Sequence, residues 1–443
     1  MPEKMTISAL RRAYASGETT PNALISGLSA RFQDPDQEAV WISTASRDDL
    51  AARCTALEAD PKNQDLPLYG IPFSVKDNID VAGFETTAAC PAFAYRAQVS
   101  ATVAARAEAA GAVCLGKTNL DQFATGLVGV RSPYGVPRNP FNGDYIPGGS
   151  SSGAGVSVST GIVAFAFGTD TGGSGRIPAS YNGIYGWKPA PGTWSRYGLV
   201  YACRSFDTPT VFTADLDGAL AVDAVVRGPD TKDPFSDDGR VEPVEAPRVA
   251  MVPLDAVEAL GDAEVGGLYR NAHGQLSKLT ELAQADLSPF QSINDLMFFG
   301  PMLAERDVSV GAFIDAHPDA CHPVVGPMIQ SSRTFSAADA YRGLYKVADT
   351  RAATAEFWTK HDVLVTPTVG ALVTRAMVEA DPLGPNFLNG TFTNFANPLG
   401  LFGLAVPFGV TAKGVPWGIT LYTQPSRFQA AVQIARALER SDS

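Results

Sequence analysis

The sequence predicts an α/β protein, and three observations carry that prediction. An Ala-rich helical segment over residues 101–111 ends on Gly111 and runs directly into an apolar strand, Ala112-Val113-Cys114-Leu115. Late in the chain, residues 362–366 (DVLVT) read as a buried strand stopped by Pro367, and an amphipathic helix follows near the end. Helices alternating with short apolar runs are the mark of a sheet covered by helices. The composition, 45% hydrophobic and 18% charged over 443 residues, supplies a large core and excludes wholesale disorder.

Residues 5–60 read as helical. Thr6-Ile7-Ser8-Ala9-Leu10 opens one amphipathic segment and residues 21–32 carry another. Residues 66–75 then read as a short strand or extended entry punctuated by Pro67, Gly70 and Pro72. Residues 132–200 are dense in Gly, Ser, Thr, Pro and Asn yet apolar around residues 162–167. That mixture predicts loops built around a buried element, which suits a site better than a linker. Residues 228–247 are acidic and Pro-rich and predict an exposed excursion before a strand at 249–252. Residues 255–350 read mainly as helices. A strand pair is expected at 404–410 and 417–422, and the last helix has Ser426 as its expected N-cap.

The net charge is −12, which argues against a nucleic-acid groove or an anionic-membrane surface but leaves room for a local basic pocket. The five cysteines (Cys54, Cys90, Cys114, Cys203, Cys321) are widely spaced with no CxxC, so reduced thiols and a cytoplasmic setting are expected. Residues 1–10 have no apolar run of the signal-peptide kind.

The chemistry concentrates in two Gly/Ser clusters, Gly148-Gly149-Ser150-Ser151-Ser152-Gly153 and Gly168-Thr169-Asp170-Thr171-Gly172-Gly173-Ser174-Gly175-Arg176. Upstream of both lies a lysine at the end of an apolar run, Ser74-Val75-Lys76-Asp77-Asn78. Consecutive glycines let successive N–H groups point at one spot, a nest for a developing anion. A serine directly after such a nest can attack a carbonyl whose oxygen sits in it. The four histidines lie far downstream in no triad-like motif. A desolvated lysine can serve as the base instead, with a second serine relaying the proton. The string GAVCLGKT at 111–118 matches GxxxxGK[ST] but runs through the apolar strand and not a loop between a strand and a helix, and no GxGxxG stands in such a place, so nucleotide binding ranks low. His317, Cys321 and His322, with Asp315 and Asp319 near, lack a recognised metal-ligand spacing.

Taken together, the lysine in GIPFSVKDN, GGSSSGAG and GTDTGGSGRIPAS resemble the amidase signature family of Ser–cis-Ser–Lys amidohydrolases, over roughly residues 60–440. The spacings between the three elements also fit that family. The resemblance implies a mixed central β-sheet covered by helices on both faces, in one domain. Its parts are N-terminal helices (1–60), the core motifs (61–215), the exposed acidic loop (228–247), a helical pocket half (255–350) and C-terminal strands with a helix (360–443), without a C-terminal accessory domain. It implies Ser174 as nucleophile, Ser150 as relay entered by a cis peptide, and Lys76 as terminal base. The oxyanion hole would be the backbone N–H groups of Thr171, Gly172, Gly173 and Ser174. Asp170 and Arg176 would brace that loop, and Ser151 and Ser152 would support it. No metal or cofactor is implied.

Residues 84–95, 119–129, 131–135 and 202–205 further resemble the allophanate hydrolase branch, whose substrate is a small ureido carboxylate. There an Arg and a Tyr hold the carboxylate. The Arg position matches Arg306, whose alternative is a surface arginine paired with Glu305 or Asp307. The Tyr position is Phe298, which lacks the hydroxyl, and Tyr201 and residues 206–209 also depart from that pattern. Thr125 and Gly126 are the remaining pocket candidates. The expected activity is ammonia release from a small carboxylated ureido or amide substrate, allophanate first and a malonamate- or biuret-like acid next, by a cytoplasmic homodimer. A glutamine-hydrolysing component of an amidotransferase is the reading from another class, and a non-catalytic binding protein on the same fold is a third.

Overall fold

The structure is a computed structural model and describes residues 4–441. Its strands are β1 (Trp41–Thr44), β2 (Pro72–Lys76), β3 (Glu85–Thr86), β4 (Tyr95–Arg96), β5 (Val113–Thr118), β6 (Phe165–Asp170) and β7 (Tyr185–Lys188) in the first half. The second half holds β8 (Thr208–Thr213), β9 (Val249–Met251), β10 (Leu282–Gln284), β11 (Val363–Pro367), β12 (Phe402–Val410) and β13 (Pro416–Thr423). Eleven of them form one sheet in the order β1-β5-β2-β6-β8-β7-β12-β13-β11-β9-β10, while β3 and β4 pair separately. The sheet is mixed: β5, β2 and β6 run parallel, as do β11, β9 and β10, and β8, β7, β12 and β13 join them by antiparallel pairs. This is the expected α/β class.

The two-residue period of a strand sends neighbouring side chains to opposite faces. Phe165 and Phe167 of β6 enter one core with Phe73, Val75, Leu404 and Val406, whereas Ala166 enters a second core with Leu115, Phe212 and Ala405. The first core is roofed by helices Thr102–Ala109 and Leu216–Val226, the second by Pro21–Ala30, Arg47–Glu58 and Ser152–Ser159. Both faces of the sheet are therefore covered, and its strands read as near-continuous apolar runs.

Several local expectations hold. Thr6 caps the first helix, accepting from the Ala9 amide, and Thr20 caps the second. The helix at Thr102–Ala109 feeds β5, and 255–350 is largely helical, ending in the 24-residue helix Ala337–Lys360 behind a Ser336/Asp339 capping box. Others are corrected. The 5–60 stretch holds β1, a four-residue strand paired antiparallel with β5 at the sheet edge. The strand expected within 66–75 begins only at Pro72. Ser426 does not cap the last helix: it lies inside a 3₁₀ turn, Pro425–Arg427, that leads into Phe428–Ser441. The 228–247 excursion is not wholly exposed. Asp233 is buried against Arg196 (3.3 Å), and Asp230 accepts from Ser195 Oγ (2.6 Å) and Thr102 Oγ1 (2.5 Å). Buried Asp233 and half-buried Asp230 serve as acceptors for the loop after β7, and Asp230 also for Thr102 at the start of its helix. Among the described residues, no helix is long and apolar enough to cross a membrane.

Candidate active site

Parallel strands β2 and β6 lie side by side, so their C-terminal ends open at the same edge, where open α/β sheets commonly place ligands. Lys76 is the last residue of β2 and Asp170 the last of β6, so the Thr171–Ser174 loop starts beside the lysine. The Gly148–Ser151 turn enters from the start of the buried helix Ser152–Ser159, which packs on both strands. Its peptide bond Gly149–Ser150 is cis. Only glycine fits at 149, because a Cβ there would stand 2.2 Å from Asp121 Oδ2.

Lys76 is fully buried. Its ammonium donates to Ser150 Oγ at 2.7 Å and to Thr169 Oγ1 at 2.7 Å. Burial pushes it down to about 7, against the pull of the carboxylates of Asp121, Asp207 and Asp170. A good fraction of it is therefore neutral at neutral pH, as a base must be. Ser174 is also buried, and its hydroxyl donates to the Gly126 carbonyl over a long 3.4 Å. Of the two links expected between lysine and nucleophile, Lys76–Ser150 is a hydrogen bond. Ser174 is held instead by Gly126, loosely enough to turn.

The loop is braced as expected of Asp170 and Arg176. Arg176 grips Asp170 through Nε–Oδ2 (2.9 Å) and Nη2–Oδ1 (2.7 Å), both side chains fully buried. Burial would raise the Asp170 carboxyl, but Arg176 outweighs it and holds the group below its usual range. Arg176 also donates to Tyr422 on β13 and to the Thr393 carbonyl. Thr393 Oγ1 in turn donates to the Gly172 carbonyl at 2.7 Å. Asp170 corrects the four-amide expectation: its Oδ1 accepts from the Gly173 amide and its Oδ2 from the Gly175 amide, each at 2.9 Å. A buried carboxylate needs these donors, so the Gly173 N–H is committed. The amides of Thr171, Gly172 and Ser174 have no partner among the described residues. Ser151 Oγ donates to the Thr169 carbonyl (3.1 Å) and Ser152 Oγ to the Asn119 carbonyl (3.4 Å), supporting contacts in both cases.

Arg306 is not a surface residue. It is 1% exposed, with Nη1 donating to the Met297 carbonyl (2.8 Å) while Nε and Nη2 are buried without a partner among the described residues. Its supposed ion partners are engaged elsewhere: Asp307 binds Arg333, and Glu305 accepts from the Ser205 amide at 2.8 Å. The guanidinium lies 5.1 Å from the centroid of the Phe298 ring. That ring in turn reaches the Thr171–Ser174 loop, since a Cβ on Gly172 would lie 3.0 Å from it. Buried guanidinium donors left unpaired are costly, and a carboxylate fits their planar fork. Phe298 contributes a face and no hydrogen bond. Thr125 turns its hydroxyl to the Phe123 carbonyl (3.1 Å), and Gly126 meets Ser174 through its carbonyl.

Sequence reasoning missed Thr169, Asp207 and Arg131. Thr169 is the second acceptor for Lys76 and stands inside a motif already singled out. Asp207 accepts from Thr171 Oγ1 (2.5 Å) and from the amides of Ala202 and Cys203 (2.8 and 3.0 Å); burial raises it to about 6. Arg131 clamps the Thr125 carbonyl (3.1 Å) from behind. Asp207 reaches Thr171 across 36 residues, and Arg131 also donates to the distant Pro382 carbonyl (2.7 Å), so no spacing announces either. The His317, Cys321 and His322 group makes backbone contacts: the Cys321 thiol meets the His317 carbonyl, and His322 Nδ1 accepts from the Val324 amide.

Comparison with known proteins places this arrangement in context. A family model described as Amidase matches residues 25–427. A urea amidolyase from Lachancea kluyveri is 38% identical over 405 residues, covering 88% of this chain and 22% of that protein. A glutamyl-tRNA(Gln) amidotransferase component from Koribacter versatilis is 29% identical, with 99% and 98% covered. The solved allophanate hydrolase of Kluyveromyces lactis superposes with a TM-score of 0.92 at 35% identity, over 98% of this chain and 72% of that one. The chain spans about a fifth of the length of the urea amidolyases it matches.

Proposed function

Because this chain belongs to the amidase signature family, we propose that it is an amidase for a small carboxylated ureido or amide substrate, allophanate foremost, acting through a serine acyl-enzyme. The observation that carries the chemistry is a fully buried lysine, lowered to about 7, hydrogen-bonded at 2.7 Å to the serine of a cis peptide and adjoining a Gly-Gly-Ser loop with unpaired amides. The observation that carries the substrate class is the buried Arg306 fork against the Phe298 ring, and the likeness to urea amidolyases and an allophanate hydrolase supports it.

In this mechanism Arg306 holds the substrate carboxylate and the terminal amide carbonyl enters the loop. Ser174 Oγ attacks the carbonyl carbon while its proton passes to Ser150 and the Ser150 proton to neutral Lys76. The amides of Thr171, Gly172 and Ser174 hold the oxyanion. Collapse expels ammonia, which takes the proton back through Ser150. Water, deprotonated along the same path, then hydrolyses the acyl-enzyme. From allophanate this leaves N-carboxycarbamate, which decarboxylates. The reading uses no metal or cofactor, and a cytoplasmic homodimer acting alone on a small molecule completes it.

The test is ammonia release from allophanate, biuret, malonamate, glutamine and propionamide by the wild type and by Ser174→Ala. Release led by allophanate and lost in Ser174→Ala is expected. Release led by glutamine would favour the amidotransferase reading, to which the likeness to the Koribacter versatilis protein also points. Turnover surviving in Ser174→Ala would exclude the assigned nucleophile.

A further inference from the structure

Asp207 stands immediately before β8 and is 2% exposed. Each of its carboxylate oxygens holds a different loop of the site. Oδ1 accepts from Thr171 Oγ1 at 2.5 Å, fixing the first residue of the oxyanion loop. Oδ2 accepts from the amides of Ala202 and Cys203, fixing the segment whose next residues meet the Arg306 region. There the Ser205 amide donates to Glu305, and the Cys203 thiol, raised first by burial, also feels the charges of Glu305, Asp207 and Arg306. Arg306 favours the anionic form of Asp207, and Lys76, from the end of β2, feels its charge. Thr171 and the two amides are its hydrogen-bond donors, and the Cys203 thiol and the Tyr201 hydroxyl also feel its charge. Asp207 is thus a shared acceptor for the loop that would stabilise the oxyanion and the loop that flanks the guanidinium.

We propose that Asp207 is a positioning residue that couples the oxyanion loop to the Arg306 anchor, aligning the Thr171 amide for turnover while partly offsetting the Arg306 charge. The proposal rests on the amidase reading above and deepens it. Two consequences separate it from a merely structural role. Loss of the carboxylate leaves a single acceptor oxygen for the Thr171 hydroxyl and the two amides together, so one of the two loops is released and turnover falls for every amide, charged or neutral. Loss of its negative charge also leaves Arg306 less compensated, so a carboxylated substrate binds relatively better rather than worse.

The experiment compares kcat and KM for allophanate and propionamide in the wild type, Asp207→Asn and Thr171→Val, with thermal unfolding of each. Asparagine keeps the shape but can turn an N–H toward the two amides. The expected result for Asp207→Asn is a kcat lowered about ten- to a hundredfold on both substrates, the range approaching loss of an oxyanion donor. Its KM for allophanate is expected to fall several-fold relative to that for propionamide. Thr171→Val keeps the charge and removes only the hydroxyl bridge, so it should lower kcat on both substrates with the KM ratio unchanged. Wild-type kcat in either variant, or KM for both substrates rising together in Asp207→Asn, would overturn the proposal. Should Asp207→Asn not fold, Thr171→Val still decides the positioning role. If the wild type turns over neutral amides alone, the substrate reading fails, yet the kcat effects on propionamide still test Asp207.

Discussion

At the scale of single residues, the site turns on a lysine placed where a charge is expensive. Lys76 is 0% exposed, and burial lowers it from its ordinary range to about 7. Activity should therefore rise with pH as one ionisation near 7, and Lys76→Met should abolish it. The same shift has a stability consequence whose sign is fixed. Between pH 7 and about 10.4 the unfolded chain keeps this proton while the folded chain does not. Wild-type stability should gain up to ~1.4 kcal/mol per pH unit across that window relative to Lys76→Met. Urea unfolding of the two proteins at pH 7 and pH 9 checks this, and parallel pH curves would contradict it. Lys76, Ser150 and Ser174 were legible because each sits in a short, contiguous motif. The commitment of the Gly173 amide was not, since it depends on which side of the loop the Asp170 carboxylate falls. Arg306 was legible only by resemblance, and its burial against Phe298 comes from packing across the helical half.

At the scale of elements, the end of β6 is tied to β13 through one buried ion pair, Asp170–Arg176, with Tyr422 and Thr393 as further partners. Removing one member strands a charge out of water. Asp170→Ala should cost about 3–5 kcal/mol in equilibrium urea unfolding and lower kcat as well, because the Gly173 and Gly175 amides lose their acceptor. A loss below about 1 kcal/mol with normal kcat would contradict the bracing role. The main helices could be read from periodicity and the longer strands from unbroken apolar runs, because the sheet is covered on both faces. The edge strand β1 could not: its four residues follow a run of turns, and it becomes a strand by pairing with β5. The expected Ser426 cap fails for a related reason. Pro425 sets a 3₁₀ turn that occupies the cap position, so the local signal gives way to the backbone that proline imposes.

At the scale of the whole molecule, the proposed function asks an acidic chain of net charge −12 to admit a carboxylated substrate. Long-range repulsion between exposed charges is screened within about 10 Å at 0.1 M salt, whereas a buried fork is screened far less. The local arginine can therefore outweigh the global sign at physiological ionic strength. The class of the fold, helices over a sheet, was legible from composition and alternation. The strand order was not, because pairs such as β7–β12 and β6–β8 join segments that no local pattern relates. The most direct measurement of the central claim is kcat/KM for allophanate and for propionamide in the wild type and Arg306→Ala at 0.15 M salt. The account predicts that the allophanate value falls at least a hundredfold, the equivalent of about 3 kcal/mol for a lost charge-assisted pair, while the propionamide value changes little. Equal values in wild type and variant for allophanate would contradict it: the serine–serine–lysine chemistry would remain, but the substrate's charge would have to be met elsewhere.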